Sequence, residues 1–160
     1  MTATQQTTNM NLQTDREFFS LLSHSYARLL GKPLVPTQVP IEDAARWLYE
    51  SAPFGVLAHN TEADPVFVYG NLTAQKLFEY QWDELTALPS RLSAEAPDRD
   101  ERQAFLEQVQ RDGFVAAYRG MRVTRSGKRF WIENAVVWQL RDDTGAHRGQ
   151  AALIPATSTV

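Results

Sequence analysis

The chain has 160 residues, a net charge of −3 at neutral pH and no cysteine. That length fits one domain with a short extension, large enough to fold without a metal or disulfide staple. The missing thiols exclude disulfides, thiolate metal sites, cysteine nucleophiles and a cysteine–flavin photoadduct, and the mild acidity argues against a general nucleic-acid binder.

Residues 1–14 are rich in Thr, Gln and Asn, carry no apolar period and are expected to form a disordered tail. They have no basic start followed by an apolar run, so they do not read as a signal peptide. No apolar stretch approaches the ~18 residues of a membrane span, and a cytoplasmic protein with no membrane partner is the expectation.

A helix should follow, capped by Thr14 or Asp15, with Glu17 placed as in a capping box. Phe18, Phe19, Leu22, Tyr26, Leu29 and Leu30 form one stripe at helical spacing, and Gly31 stops it. Pro33, Pro36 and Pro40 mark an extended linker. A second short helix is expected over 42–50, ended by Pro53, so that 15–50 form a pair of flanking helices.

From residue 51 the pattern changes. Strands are expected over 54–59 and 65–69, then a helix begun by Asn71, a helical turn at 82–85 and a loop over 89–97. Asp98 or Asp100 should cap a longer helix with Phe105, Leu106 and Val109 on its apolar side, ended by Gly113. Strands over 114–125, 129–140 and 149–154 complete the domain at 155, with hairpin turns at Ser126-Gly127-Lys128 and at Asp142-Asp143-Thr144-Gly145. Residues 156–160 read as a tail. Two strands, a helical middle and a three-strand meander make the order of a PAS-like α+β fold. That fold is a five-stranded antiparallel sheet with helices on one face and small ligands between the two.

Particular strings sharpen this. Phe67-Val68-Tyr69-Gly70-Asn71, Tyr80-Gln81-Trp82-Asp83-Glu84-Leu85 and Thr124-Arg125-Ser126-Gly127-Lys128-Arg129-Phe130-Trp131 resemble the light-sensing LOV branch of PAS domains. The whole stretch from 15 to 155 is closer to the MEKHLA-domain family, which is PAS-like. Phe18-Phe19, Ser25-Tyr26, Ala44-Ala45-Arg46-Trp47-Leu48-Tyr49, Phe54-Gly55-Val56-Leu57-Ala58-His59-Asn60 and Leu88-Pro89-Ser90-Arg91-Leu92-Ser93 carry that resemblance. It implies a PAS fold and a sensory role, and it supplies neither ligand nor reaction.

The LOV resemblance also tests for flavin. Aligned without gaps, its reactive cysteine falls at Ser90, two flavin-edge contacts at Pro89 and Ala94, and two sheet asparagines at Arg122 and Ile132. A second phosphate-binding arginine falls at Glu107, so only Arg91, which matches a phosphate-contacting arginine, is kept. Flavin photochemistry is therefore not expected.

Strand alternation puts Tyr118, Gly120, Arg122 and Thr124 on one face, and Phe130, Ile132, Asn134, Val136 and Trp138 on one face of the next strand. If these faces line the cavity, Arg122 and Asn134 sit in an apolar, aromatic pocket. Phe67, Tyr69, Asn71, Phe78 and Arg91 complete the expected lining. A buried arginine must be paired. The partner is either Glu95 or Glu133, which makes an internal salt bridge, or an anionic ligand held by the planar guanidinium fork. An opposite strand twist would turn Arg122 outward instead.

The remaining features have plainer readings. His24, His59 and His147 lack metal-ligand spacing, which points away from zinc or haem. Asp98, Asp100 and Glu101 sit where a helix starts and suit its dipole. Arg119, Arg122, Arg125, Lys128 and Arg129 crowd one hairpin, but Glu133, Asp142 and Asp143 lie beside them, so a solvated tip is expected rather than a nucleic-acid surface. Trp47, Trp82, Trp131 and Trp138 read as core or interface aromatics, and no phosphate loop, dinucleotide glycine pattern or nucleophile elbow occurs. The expectation is a non-enzymatic sensory module that binds a small acidic or aromatic ligand and signals as a homodimer or through a partner protein. A ligand-free interaction domain is the other reading.

Overall fold

The computed structural model describes residues 12–94 and 99–160. Helix α1 (Arg16–Leu30) is capped by Asp15, whose carboxylate accepts the Phe18 N–H at 2.8 Å. It ends at Gly31, in the left-handed region with φ 74°, whose N–H donates to the Ala27 carbonyl. The proline linker leads through a single 3₁₀ turn (Ile41–Asp43) into α2 (Ala44–Glu50). Strands β1 (Gly55–His59) and β2 (Phe67–Gly70) precede α3 (Leu72–Phe78), α4 (Trp82–Leu85), a 3₁₀ turn (Ser90–Ser93) and α5 (Arg99–Asp112). Strands β3 (Phe114–Val123), β4 (Arg129–Arg141), β5 (His147–Ile154) and β6 (Ala156–Thr159) finish the chain.

The antiparallel sheet runs β2-β1-β5-β4-β3, the expected five strands. A sixth was not expected: β6 pairs with β4 where a tail was read. Glu133 faces Ala156 and Val136 faces Leu153, the same register, so β5 and β6 are one line of chain interrupted at Pro155. Proline has no N–H for the ladder, which explains the break. Thr157 and Thr159 suit the resumed strand.

The sheet is covered on both faces. On one face Leu57, Phe67, Ala74, Phe78, Leu85, Phe130, Ile132 and Ala135 form a core beneath α3 and α4. On the other, Val56, Ala58, Tyr69, Trp138 and Leu140 meet Leu22, Tyr26 and Leu48 of α1 and α2. The flanking helix thus docks on its own sheet. Tyr26 packs edge-on against Trp138 with centroids 5.0 Å apart, the Trp138 indole N–H donates to the Leu22 carbonyl at 3.3 Å, and Arg28 donates to the Arg141 carbonyl at 2.7 Å.

Three irregularities set the faces. In β2 the pairing slips beside Ala58 and His59, and Phe67 and Tyr69 end in different cores. In β3 and β4 extra residues sit next to Tyr118, where Ala117 and Asn134 take φ 53° and 54°. Outside that stretch the two strands return to one register.

Candidate functional site

The expected grouping of Tyr118 with Arg122 holds, and Gly120 is the reason. A Cβ at Gly120 would stand 2.7 Å from the Tyr118 hydroxyl and 2.9 Å from Arg122 Nη1, so both side chains lie across the bare glycine backbone. The Arg122 guanidinium carbon is 5.7 Å from the Tyr118 ring centroid, and Nη1 donates to the Met121 carbonyl at 2.8 Å. The Tyr118 ring also packs against Phe105 of α5, centroids 4.7 Å apart. No carboxylate among the described residues forms an ion pair with Arg122. Of the expected partners, Glu133 is bound elsewhere, and Glu95 lies outside the described residues. So does Asp98, one of the two expected caps of α5.

Phe67, Phe78, Phe130 and Ile132 lie in the helix-side core, and Tyr118 packs against it. Phe78 and Phe130 meet edge-on at 5.3 Å, so this interior is filled by side chains. Four of the expected lining residues are placed differently. Asn134 is exposed, because the bulge uses it as the extra residue and its left-handed backbone interrupts the alternation. As a result Val136 and Trp138 do not share the face of Phe130 and Ile132 but pack toward α1. Tyr69 is in the outer core, ringed by Phe18, Tyr49 and Trp82 at 5.4, 6.2 and 5.9 Å. Its hydroxyl is buried with no hydrogen-bond partner among the described residues, and burial pushes its pKa far up. Arg91 is on the surface, paired with Asp64 at 3.1 Å, with more than half of each side chain exposed.

Asn71, the fourth, is a structural hub. It is fully buried, and its Oδ1 accepts the Val56 and Ala74 N–H groups at 2.9 and 3.0 Å. Its Nδ2 donates to the Leu48 and Phe54 carbonyls, both at 3.0 Å. The amide therefore ties α2, β1 and α3 together, with nothing left to offer a ligand. Only its place as a helix cap was readable in the sequence. The role of Gly120 was missed, because a glycine inside a strand does not announce which side chains cross it.

A family model for the MEKHLA domain matches residues 16–159. The chain belongs to the MEKHLA-domain family. No curated protein is significantly similar in sequence. Among solved structures this MEKHLA domain is similar to a PAS domain from Colwellia psychrerythraea, with a TM-score of 0.60 at 11% identity, covering 76% of this chain and 98% of that one. It is similar also to an RNA-binding light-oxygen-voltage receptor, with a TM-score of 0.60 at 23% identity, covering 75% of this chain but 34% of the receptor. The photo-excited blue-light photoreceptor Vivid gives 0.56 at 14% identity, over 83% of this chain and 92% of that one. At these identities the likeness establishes the PAS/LOV fold.

The charged groups around the MEKHLA site are locally balanced. Arg119 pairs with Glu133 at 2.9 Å and lies 3.8 Å over the Trp131 ring, and Arg125 pairs with Glu84 at 2.6 Å. Glu133 also accepts from Ser158; the Ser158 hydroxyl, then Arg119, hold its carboxyl low. Glu79 accepts the Ser126 hydroxyl and N–H at 2.6 and 3.1 Å, which lowers its carboxyl and fastens the β3–β4 turn to the end of α3. Asp142 falls to about 2, mainly through the Thr144 hydroxyl. The histidines form no metal cluster, and among the described residues no group of His, Asp and Glu does. No described helix is long and apolar enough to cross a membrane.

Proposed function

We propose that this MEKHLA domain is a cytoplasmic, non-enzymatic sensory module that takes a small aromatic or acidic ligand at Arg122 and Tyr118. The observation that carries this reading is the convergence of a guanidinium and a phenol over Gly120. A half-buried arginine without a carboxylate partner among the described residues favours an anion, and its planar fork suits a carboxylate. The aromatic wall of Tyr118 and Phe105 suits a ring beside that charge. Output then acts in trans, through dimerisation or a partner protein. Strand β4 contacts the helix-side core at Phe130 and Ile132 and α1 at Trp138 and Leu140, so a change at the ligand end has a direct mechanical route to α1.

Native mass spectrometry of freshly purified protein, with its near-ultraviolet and visible spectrum, tests the proposal. The expected result is a small-molecule adduct lost in Arg122→Ala while the fold is kept. An adduct-free protein whose Arg122→Ala variant unfolds would make Arg122 structural. That result would favour the second reading, a ligand-free interaction domain, for which the filled core around Phe78 and Phe130 already speaks.

A further inference from the structure

Helix α5 grips the sheet with few side chains. From Ala104 to Asp112 every side chain is exposed except Phe105 and Val109, which stand one helical turn apart on the same side. Leu106, an apolar residue, is 45% exposed. Arg111 pairs with its neighbour Asp112 at 3.2 Å, an ion pair that stays within the helix. Beneath α5, Val109 meets Val115 and Val137, which face each other across β3 and β4, with Phe105, Tyr118 and Ala152 at the rim. This cluster is distinct from the two larger cores. The other helices are held more firmly: α1 buries Leu22 and Tyr26 and shares hydrogen bonds with Arg141 and Trp138, and α3 buries Phe78 under the Asn71 cap. An element that buries little apolar surface opens at lower cost than the whole fold.

The C-terminal end of α5 is fixed. The Gly113 carbonyl accepts the Gln139 N–H at 2.9 Å, and its own N–H donates to the Val109 carbonyl at 2.8 Å. A Cβ at Gly113 would stand 2.7 Å from Leu29 Cδ2, so a side chain of α1 lies against the bare backbone. Gly113 also takes φ 82°, which glycine tolerates and a hinge at the end of an element needs. A helix held lightly over 104–112 and firmly at 113 swings about 113. The swing takes Phe105 off the Tyr118 ring, next to Arg122. The interior on the α3 side is filled at Phe78 and Phe130, so room for a ring beside Tyr118 comes from the Phe105 side. We infer that α5 is a hinged lid on the Arg122–Tyr118 site, pivoting at Gly113. The inference rests on the function proposed above for what the lid admits, whereas the opening itself needs no ligand.

The chain has no cysteine, so a single introduced thiol reports on its own position. Val115→Cys and Val137→Cys lie under the lid, and Val56→Cys lies in the core under α1 and α2 as the reference. Each full-length variant is labelled with an aryl disulfide reagent in native buffer. The two lid positions should react about 100-fold faster than Val56→Cys or more, with rates that barely change in low urea. Adding Ser25→Ala, which weakens the docking of α1, should speed Val56→Cys about tenfold and leave the lid positions within about twofold, because the open state keeps α1 in place. Amide exchange in the unmodified chain is a second reading should a cysteine variant fail to fold. An undocked helix of this length is marginal in water, so the amides of 108–112 should exchange about 100-fold faster than those of β1. Lid positions that react at the rate of Val56→Cys, or that speed up with it in Ser25→Ala, overturn the lid, as does exchange of 108–112 in step with β1. Such a result leaves the Arg122 site standing, and a missing small-molecule adduct removes that site without removing the opening.

Discussion

The Ser25 hydroxyl and the backbone of Arg141 exchange two hydrogen bonds: the hydroxyl donates to the carbonyl at 3.1 Å and accepts the N–H at 3.0 Å. Ser25 is buried in the middle of α1, and Arg141 ends β4. Ser25→Ala keeps the Arg141 carbonyl supplied by Arg28 but strips the side-chain acceptor from its N–H. A loss of about 1–2 kcal/mol is expected in urea melts. An unchanged midpoint would mean that α1 is held by apolar packing alone.

Asn71→Ala should be among the most damaging polar substitutions. It removes the acceptor of two buried N–H groups and the donor to two carbonyls at once. A loss of about 3–4 kcal/mol is expected, since each buried orphan costs ~1–3 kcal/mol and neighbours relax in part. Asn71→Asp keeps the cap but cannot donate, so it should not rescue stability. A rescue by aspartate would assign the residue to capping alone.

Tyr69→Phe should stabilise the protein by about 1 kcal/mol, because it deletes a buried hydroxyl that has no partner among the described residues while keeping the ring against Phe18 and Trp82. A fall in melting temperature would instead show that the hydroxyl is hydrogen-bonded in solution.

His59 gives the fold a pH dependence. Burial lowers its pKa most, the Asn60 carbonyl opposes this and the nearby His147 adds to it. The folded state therefore binds the proton less readily than the unfolded chain. The stability tied to neutral His59 is complete above the ordinary value of 6.5 and is lost as pH falls through the lowered value. Urea midpoints should drop between pH 7 and 5, and His59→Gln should flatten that slope. An identical slope in the variant would place the dependence elsewhere.

Asn134 tests the bulge. At φ 54° a β-branched residue is strained, so Asn134→Val should cost about 1–2 kcal/mol, while Asn134→Gly should stay within ~0.5 kcal/mol. Equal stability of the two variants would show that the left-handed backbone is not required in solution.

What could be read in advance was local or periodic. The Asp15 cap, the Gly31 stop, the α1 stripe and both hairpin turns name their own geometry in a few neighbouring residues. The grouping of Tyr118 with Arg122 followed from simple alternation, because the extra residue at the register shift between Tyr118 and Gly120 falls on β4 and not on β3. Alternation failed at Asn134 and at Tyr69, because a bulge depends on what the neighbouring strand does. The left-handed backbone of Ala117 has no signal in the sequence at all. Strand β6 was hidden by its exposed polar side chains, and the work of Asn71 by its dependence on carbonyls 17 and 23 residues away.

The extra residues near Tyr118 have a consequence for how such a domain can vary in length. Ala117 in β3 and Asn134 in β4 offset one another, and Pro155 stands opposite Asn134 on the far side. Deleting Asn134 alone would keep Ala135 facing the helices but would leave both adjoining strands one residue too long. The three strands are thus coupled like pleats pressed together in one cloth. Relatives should carry all three additional residues or none, and a homologue with only one of them should show its β3, β4 and β6 slipped out of step.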